Sequence, residues 1–270
     1  MVRYRSPERV IEEMELGIKN NATQFIFIDD TFLLDKKRAM ELSHLLIKKG
    51  LHKRITWACL SRADIVDEEL LTTIKEAGCT MVYFGVESGS QYILDNIGKN
   101  ITLEEIKHAF SLAKAVGLKT VAFFMIGTPY ETKETIMSTR RFISELNPDF
   151  LELSIFTPYP GTEFYSAIKQ GLEGIVIVDT SWSNFNMTRS EYIRHKNFGS
   201  DELEVIKWTV YVRFYMHPSR ITRIVSRIRS PRIIFRMGGW IMVFFVKRIV
   251  KKIGKSMQLF QTKAGSVRRA

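Results

Sequence analysis

Glu87 is the one carboxylate between Gly85 and Gly89, in the stretch Met81-Val-Tyr-Phe-Gly-Val-Glu-Ser-Gly-Ser90. The residues before it are rich in β-branched and aromatic side chains, as in a buried strand, and Gln91-Tyr-Ile-Leu94 begins a helical pattern directly after it. A carboxylate at the carboxyl end of a parallel strand stands where open α/β sheets and barrels bind ligands. The same group could instead cap the following helix, whose N-terminus favours acids. Comparable ends recur along the chain. Asp29 and Asp30 close an apolar run from Phe25, Arg62 and Asp64 follow another, and Glu131 lies in Gly127-Thr-Pro-Tyr-Glu-Thr132. Such a mixture suits a zwitterionic ligand: carboxylates accept from an ammonium or ribose hydroxyls, and a cation meets a carboxylate. Asp29 and Asp30 suit a helix cap or a bound cation equally well.

Other chemistries find little support. No Gly-rich phosphate loop of the Walker or dinucleotide kind is present, and no Ser/His/Asp order is compelling. None of the five histidines (His44, His52, His108, His195, His217) falls at an expected strand end. Cys59 and Cys79 are too few for a disulfide framework or for a metal centre of three or four ligands, so no metal site is expected within the chain. Sparse cysteine also fits a reducing compartment.

The elements that must hold these side chains alternate. Ser6-Pro-Glu starts a helix, with Ser6 able to cap and Pro7 at the first helical position. A buried strand is expected over Phe25–Asp30, then a helix over Lys36–Lys49 and a strand over Arg54–Cys59. A helix over Asp67–Ala77 leads to the focal strand. Helices at Gln91–Asn96 and Thr102–Val116 follow, the latter opened by a capping-box pattern in Thr102-Leu-Glu-Glu105. Strand Lys119–Ile126, helix Lys133–Leu146, strand Phe150–Phe156 and a short helix to Gln170 complete the alternation. Five strand–helix units of βαβ length imply a parallel sheet. A closed eight-unit barrel needs about 250 residues of such alternation; here it stops near residue 160, which leaves a partial barrel or an open doubly wound sheet.

Three regions are therefore expected: the α/β body over 1–170, an irregular connection over 171–200 in which Trp182–Phe185 packs over one end of the sheet, and an all-helical extension over 201–270. Charge divides at the same place. Residues 201–270 hold 16 Lys/Arg against 3 Asp/Glu, a net +13, whereas residues 1–200 hold 24 against 26, a net −2. Helical segments are expected over Asp201–His217, Pro218–Ile228 and Pro231–Ile253. Arg220, Arg223, Arg227, Arg229, Arg232 and Arg236 alternate with apolar residues, and Trp240–Val246 follows. This basic amphipathic pattern suits either packing on the body or contact with an anionic membrane surface through residues 220–252. Nucleic acid fits less well, because the aromatics cluster in an apolar run. The seven-residue run before Lys247 is far short of the roughly 20 residues that span a bilayer. Met1–Glu8 lacks a signal-peptide pattern, so the expected location is cytoplasmic, with peripheral membrane contact open through the tail.

Six blocks in order carry a resemblance: Arg5-Ser-Pro-Glu8, Phe27-Ile-Asp-Asp-Thr-Phe32, Trp57-Ala-Cys-Leu-Ser-Arg-Ala-Asp64, Phe84-Gly-Val-Glu-Ser-Gly-Ser90, Gly127-Thr-Pro-Tyr-Glu-Thr132 and Phe156-Thr-Pro-Tyr-Pro-Gly-Thr162. The chain resembles the radical S-adenosylmethionine superfamily, in particular the class with an upstream cobalamin-binding domain, which includes methyltransferases and an anaerobic cyclase. Arg213-Phe-Tyr-Met-His-Pro218 resembles a C-terminal feature of that class.

The resemblance implies a six-stranded partial (β/α) barrel, of which this chain would hold all but the first strand, and an enzyme using S-adenosylmethionine with a [4Fe–4S] cluster. Cobalamin would enter through an upstream domain. By the same resemblance Asp29 and Asp30 meet the amino group of S-adenosylmethionine, Lys99 faces its carboxylate beside Glu87, and Arg62 is a further contact. Phe123 stands where some relatives carry a ribose-binding acid. The C-x3-C-x2-C loop that holds the cluster would lie upstream of Arg5, so the cluster ligands are not expected in this chain, and a partner chain could supply them. The substrate would be a small or lipid-like molecule. A non-catalytic remnant, or a module acting through its basic tail, is the competing expectation.

Overall fold

A computed structural model describes residues 4–181 and 192–227. The chain divides into two compact units, Met1–Phe214 and Tyr215–Ala270. In the first unit, helices and strands alternate: α1 (Pro7–Lys19), β1 (Gln24–Phe27), α2 (Lys36–Lys48), β2 (Thr56–Ser61), α3 (Glu68–Glu76), β3 (Cys79–Glu87), α4 (Gln91–Asn96), α5 (Leu103–Val116), β4 (Lys119–Ile126), α6 (Lys133–Leu146), β5 (Phe150–Ile155) and α7 (Glu163–Lys169). A two-stranded ribbon, β6 (Ile175–Ile177) and β7 (Ile193–His195), precedes α8 (Ser200–Tyr215). In the second unit α9 runs Pro218–Arg227. The expectations over Trp182–Phe185, Pro231–Ile253 and Trp240–Lys252 fall outside the described residues. Among the described residues no helix is long and apolar enough to cross a membrane.

The five long strands form one parallel sheet in the order β1-β2-β3-β4-β5. This is the expected parallel partial barrel, its strands curled into a half-barrel. Local sequence sets the helix ends. Ser6 caps α1, Asp35 caps α2, Asp67 caps α3, and Thr102 with Glu105 closes a reciprocal capping box on α5.

Strand alternation sorts the side chains. Val82, Phe84 and Val86 of β3 are fully buried, and Phe84 packs on Phe110 of α5 with ring centroids 5.1 Å apart. That face is the core. On the other face, the register sets Leu60, Tyr83 and Val121 in one row and Gly85, Phe123 and Glu152 in the next. Val121 is buried, but Leu60, Tyr83, Gly85 and Phe123 are only partly covered and Glu152 is exposed, which leaves a concave surface beneath the strand ends.

The two edges of the sheet differ. At β5, Tyr211 of α8 takes the place of a neighbouring strand: its Oη accepts from Leu153 N at 2.7 Å. At β1 the expected buried strand over Phe25–Asp30 is corrected to four residues, Gln24–Phe27. Ile26 is 51% exposed and Ile28 78% exposed. An apolar run reads as buried only if both faces and both edges are covered, and among the described residues β1 has a neighbour on one side alone.

Candidate active site

The carboxyl end of β3 is bent out of strand geometry. Its register with β4 shifts between Gly85 and Glu87. Glu87 has φ of +65°, and Ser88 N donates to Val86 O at 2.9 Å, closing a tight three-residue turn. A left-handed glutamate costs on the order of 1 kcal/mol or more, and such strain gathers at functional sites. The bend turns Glu87 away from α4. The cap position of that helix belongs to Ser90, so Glu87 is not its cap.

Glu87 instead meets Lys99. The end of α4 explains how: Gly98, at φ of +66°, donates to Asp95 O at 3.1 Å, and Lys99 N donates to Leu94 O at 3.0 Å. These paired bonds around a left-handed glycine stop the helix and reverse the chain. Lys99 Nζ then lies 3.0 Å from Glu87 Oε1, both side chains about four-fifths buried. The pair sits over Gly85, where a Cβ would come within 2.9 Å of Glu87 Oε1 and 3.0 Å of Lys99 Nζ. Glycine here makes room for the charges.

Arg62, just past β2, joins the group. It grips Asp64 through two hydrogen bonds of 2.7 and 2.9 Å and donates to Lys99 O at 3.1 Å. Burial alone would raise the Asp64 carboxyl, but the Arg62 contact holds it below the usual carboxylate range. Arg62, Asp64, Glu87 and Lys99 therefore form one polar cluster across the ends of β2 and β3. Asp29 and Asp30 stand exposed after β1, two strands from Glu87, and the structure does not bring them into that cluster.

Glu131 has a different place. It is fully buried, and its carboxyl accepts from Gly127 N at 3.1 Å, Thr135 Oγ1 at 3.0 Å and Thr128 Oγ1 at 3.4 Å. Burial pushes it up to about 7. It braces the loop after β4 from within and offers nothing to a ligand. The same loop is held from outside by the ribbon. The His195 imidazole lies 2.8 Å from Thr128 O and accepts from Asn197 N at 3.0 Å, while Asn197 Nδ2 donates to Glu131 O at 2.9 Å. The expectation that no histidine ends a strand is corrected here: His195 closes β7, a three-residue strand too short to show a period in the sequence.

Cys59 and Cys79 are both buried, on neighbouring strands, and burial pushes the Cys59 thiol well up. Among the described residues no three His, Cys, Asp or Glu side chains group so as to hold a metal.

The sequence model of the radical SAM superfamily matches residues 1–143. The chain belongs to the radical S-adenosylmethionine superfamily. Its relatives are consistent with that membership. The chain is 36% identical over 221 residues to an uncharacterised methyltransferase, PH0819, of Pyrococcus horikoshii, covering 80% of this chain and 46% of that protein. It is 30% identical over 217 residues to the anaerobic magnesium-protoporphyrin IX monomethyl ester cyclase of Cereibacter sphaeroides, covering 79% of this chain and 34% of the cyclase. The chain thus spans about half or less of the length of these relatives. Among solved structures, the cobalamin-dependent S-adenosylmethionine radical enzyme OxsB superposes with a TM-score of 0.60 at 14% identity, over 90% of this chain and 42% of that one. The methyltransferase TsrM from Kitasatospora setae, with tryptophan and an S-adenosylmethionine analogue bound, gives a TM-score of 0.57 at 20% identity, over 66% of this chain and 36% of that one. At these identities the superpositions bear on the fold. Members of this superfamily are enzymes that use S-adenosylmethionine and a [4Fe–4S] cluster.

Proposed function

We propose that this radical S-adenosylmethionine chain forms the part of the enzyme that binds the amino-acid end of S-adenosylmethionine, and that the whole protein performs cobalamin-assisted methyl transfer rather than radical cyclisation. The observation that carries the first statement is the Glu87–Lys99 pair lodged over Gly85 at the bent end of β3. Lys99 is the cation for the methionine carboxylate, and Glu87 accepts from the ammonium group. Arg62, bonded to Asp64 and to Lys99 O, fixes the direction of Lys99. A ligand carboxylate that takes the place of Glu87 at Lys99 keeps the largely buried ammonium paired, so the exchange leaves no uncompensated charge. Asp29 and Asp30 are further acceptors for the ammonium at the end of β1. Bound S-adenosylmethionine and a reduced cluster supply the radical or methyl-transfer chemistry; this chain's residues bind, orient and shield. Methyl transfer is favoured because a relative 36% identical over 80% of this chain is called a methyltransferase.

The fit is good on the ligand's side. Gly85 leaves space where any side chain would collide with the pair, and the pair is water-accessible enough to exchange partners. For the cluster we infer ligands other than Cys59 and Cys79, supported by the burial of both thiols on adjacent strands.

Binding tests the reading. Lys99→Met should lower affinity for S-adenosylmethionine about tenfold, the worth of one charge-assisted contact, and leave 5′-methylthioadenosine, which has no carboxylate, unaffected. Equal loss for both ligands, or for neither, would sink the assignment. Anaerobic reconstitution with iron and sulfide should leave the chain without four tightly bound irons. A stable cluster together with 5′-deoxyadenosine formation by residues 1–270 would reverse the inference about the cysteines.

A further inference from the structure

The β6–β7 ribbon lies across the loop after β4 and meets it at three successive points. Gly174, just before β6, packs so closely on Pro129 that a Cβ there would collide with Pro129 O. His195 Nε2 lies 2.8 Å from Thr128 O, and Asn197 Nδ2 donates to Glu131 O at 2.9 Å. The ribbon closes on itself at the same place, since Lys196 N donates to Gly174 O at 2.8 Å. A further bond ties it elsewhere: Tyr192 Oη donates to Phe156 O at 3.0 Å, just past β5.

His195 is the point in this strap that a proton can change. A carbonyl only accepts, so Nε2 carries the hydrogen toward Thr128 O. A backbone N–H only donates, so Nδ1, 3.0 Å from Asn197 N, is bare. The ring is thus held in one neutral tautomer. A second proton would set Nδ1–H against Asn197 N–H, donor against donor, and place a charge in a buried site. Burial already pushes the imidazole below its ordinary value. The acids nearby are engaged elsewhere. Glu131 turns its carboxyl inward to Gly127, Thr128 and Thr135 and gives the ribbon only its carbonyl. Glu173 pairs with Lys196, and Glu202, beside Asp201 at the start of α8, pairs with Lys133 of α6. Arg194 and Lys196 are exposed on either side of His195, while the Phe198 ring stands over the imidazole, centroids 5.0 Å apart. Among the described residues no carboxylate is bonded to the imidazole.

We propose that the β6–β7 ribbon is a proton-released latch on the loop after β4, with His195 as its catch. Neutral, the imidazole bridges Thr128 O and Asn197 N and holds ribbon and loop together. Protonated at Nδ1, it loses the Asn197 bond and seeks water, so β7 lifts from Thr128 and Glu131. Burial pushes the Tyr192 hydroxyl up, out of this range, so the ribbon stays tethered at Phe156. Release is local, and it frees the loop that leaves β4 beside the bent end of β3. The open form binds the proton at the ordinary histidine value of 6.5, the closed form more weakly. Closure is therefore complete well above pH 6.5 and declines as pH falls toward the lowered value of the closed form.

Amide hydrogen exchange on residues 1–270, corrected for the intrinsic effect of pH, tests the latch between about pH 7.5 and 5. The N–H groups of Gly127, Glu131, Lys196 and Asn197 are all bonded in the closed form. Their protection should fall below pH 6.5 by up to about tenfold per pH unit, the limit for one proton, while α5 keeps its own. His195→Gln offers a donor and an acceptor but gains no proton, so it should keep the protection and lose this pH dependence. Glu131 titrates alike in both chains, and the comparison cancels it. His195→Phe keeps a ring against Phe198 without either bond, and should leave the four amides weakly protected at every pH. On the parent chain alone, two-bond 1H–15N correlation should show the Nε2–H tautomer at neutral pH and a His195 midpoint that coincides with release. That measurement decides the matter even if a variant fails to fold. Equal pH dependence in a folded His195→Gln, full protection in His195→Phe, an Nδ1–H tautomer, or parent exchange indifferent to pH would each overturn the latch.

Discussion

Glu87 closes β3 and Glu131 lies in the loop after β4, and their sequence contexts differ little. Their surroundings separate them. Glu87 is held mostly but not wholly covered at a bent backbone and faces a lysine; Glu131 is sealed among Gly127, Thr128 and Thr135. Burial raises the Glu131 carboxyl from 4.5 to about 7, more than its hydrogen bonds lower it. An acid raised by folding favours the protonated state. Its contribution is therefore complete below about pH 4.5 and is lost as pH climbs through about 7, a swing on the order of 3 kcal/mol. The parent chain should lose urea resistance between pH 5 and 8, and Glu131→Gln, which cannot ionise, should flatten that slope. An equally steep slope in the variant would show that Glu131 is not the source.

Among the elements, the loop from β3 into α4 depends on closeness rather than on charge. Gly89 N donates to Thr139 Oγ1 at 3.1 Å, and Ser88 Oγ meets the same oxygen at 3.1 Å. A Cβ on Gly89 would stand 2.4 Å from Phe142 Cβ and 2.7 Å from Thr139 Cα. The obstacle is the body of α6, not the flexible tip of a side chain. Gly89→Ala should thus cost about 3 kcal/mol in chemical denaturation, the upper range for overpacking, whereas Gly50→Ala, with open space around it at φ of +69°, should cost only the left-handed strain of about 1 kcal/mol. Comparable losses at the two positions would contradict the packing argument. The reasons differ in how visible they are beforehand. The Thr102–Glu105 capping box and the Gly98 stop of α4 are local patterns, readable from a few adjacent residues. The β6–β7 ribbon pairs Ile175 with His195 across twenty positions, and three-residue strands carry no period long enough to detect.

At the scale of the molecule, the half-barrel has one blunted edge and one open one. Tyr211 satisfies Leu153 at β5, while β1 presents Ile26, with Ile28 exposed just past its end, and has no strand beyond it among the described residues. Such an edge is a template for pairing. The isolated chain should self-associate at micromolar concentration, and Ile28→Lys should shift it toward monomer in light scattering after gel filtration; an unchanged mass distribution would mean the edge is covered by other means. The order of strands and helices, the parallel sheet and the strand-end position of Arg62 and Glu87 were all legible in the chain, because hydrophobic period, caps and glycine stops act over a few residues, while Lys99 stood out only through the family resemblance. Which of those groups meet was not. Lys99 reaches Glu87 across 12 positions, Arg62 reaches Lys99 across 37, and Tyr211 reaches Glu152 across 59. Neighbours so far apart are chosen by strand register and by the bend at Glu87, and both arise only when the whole sheet packs against its helices.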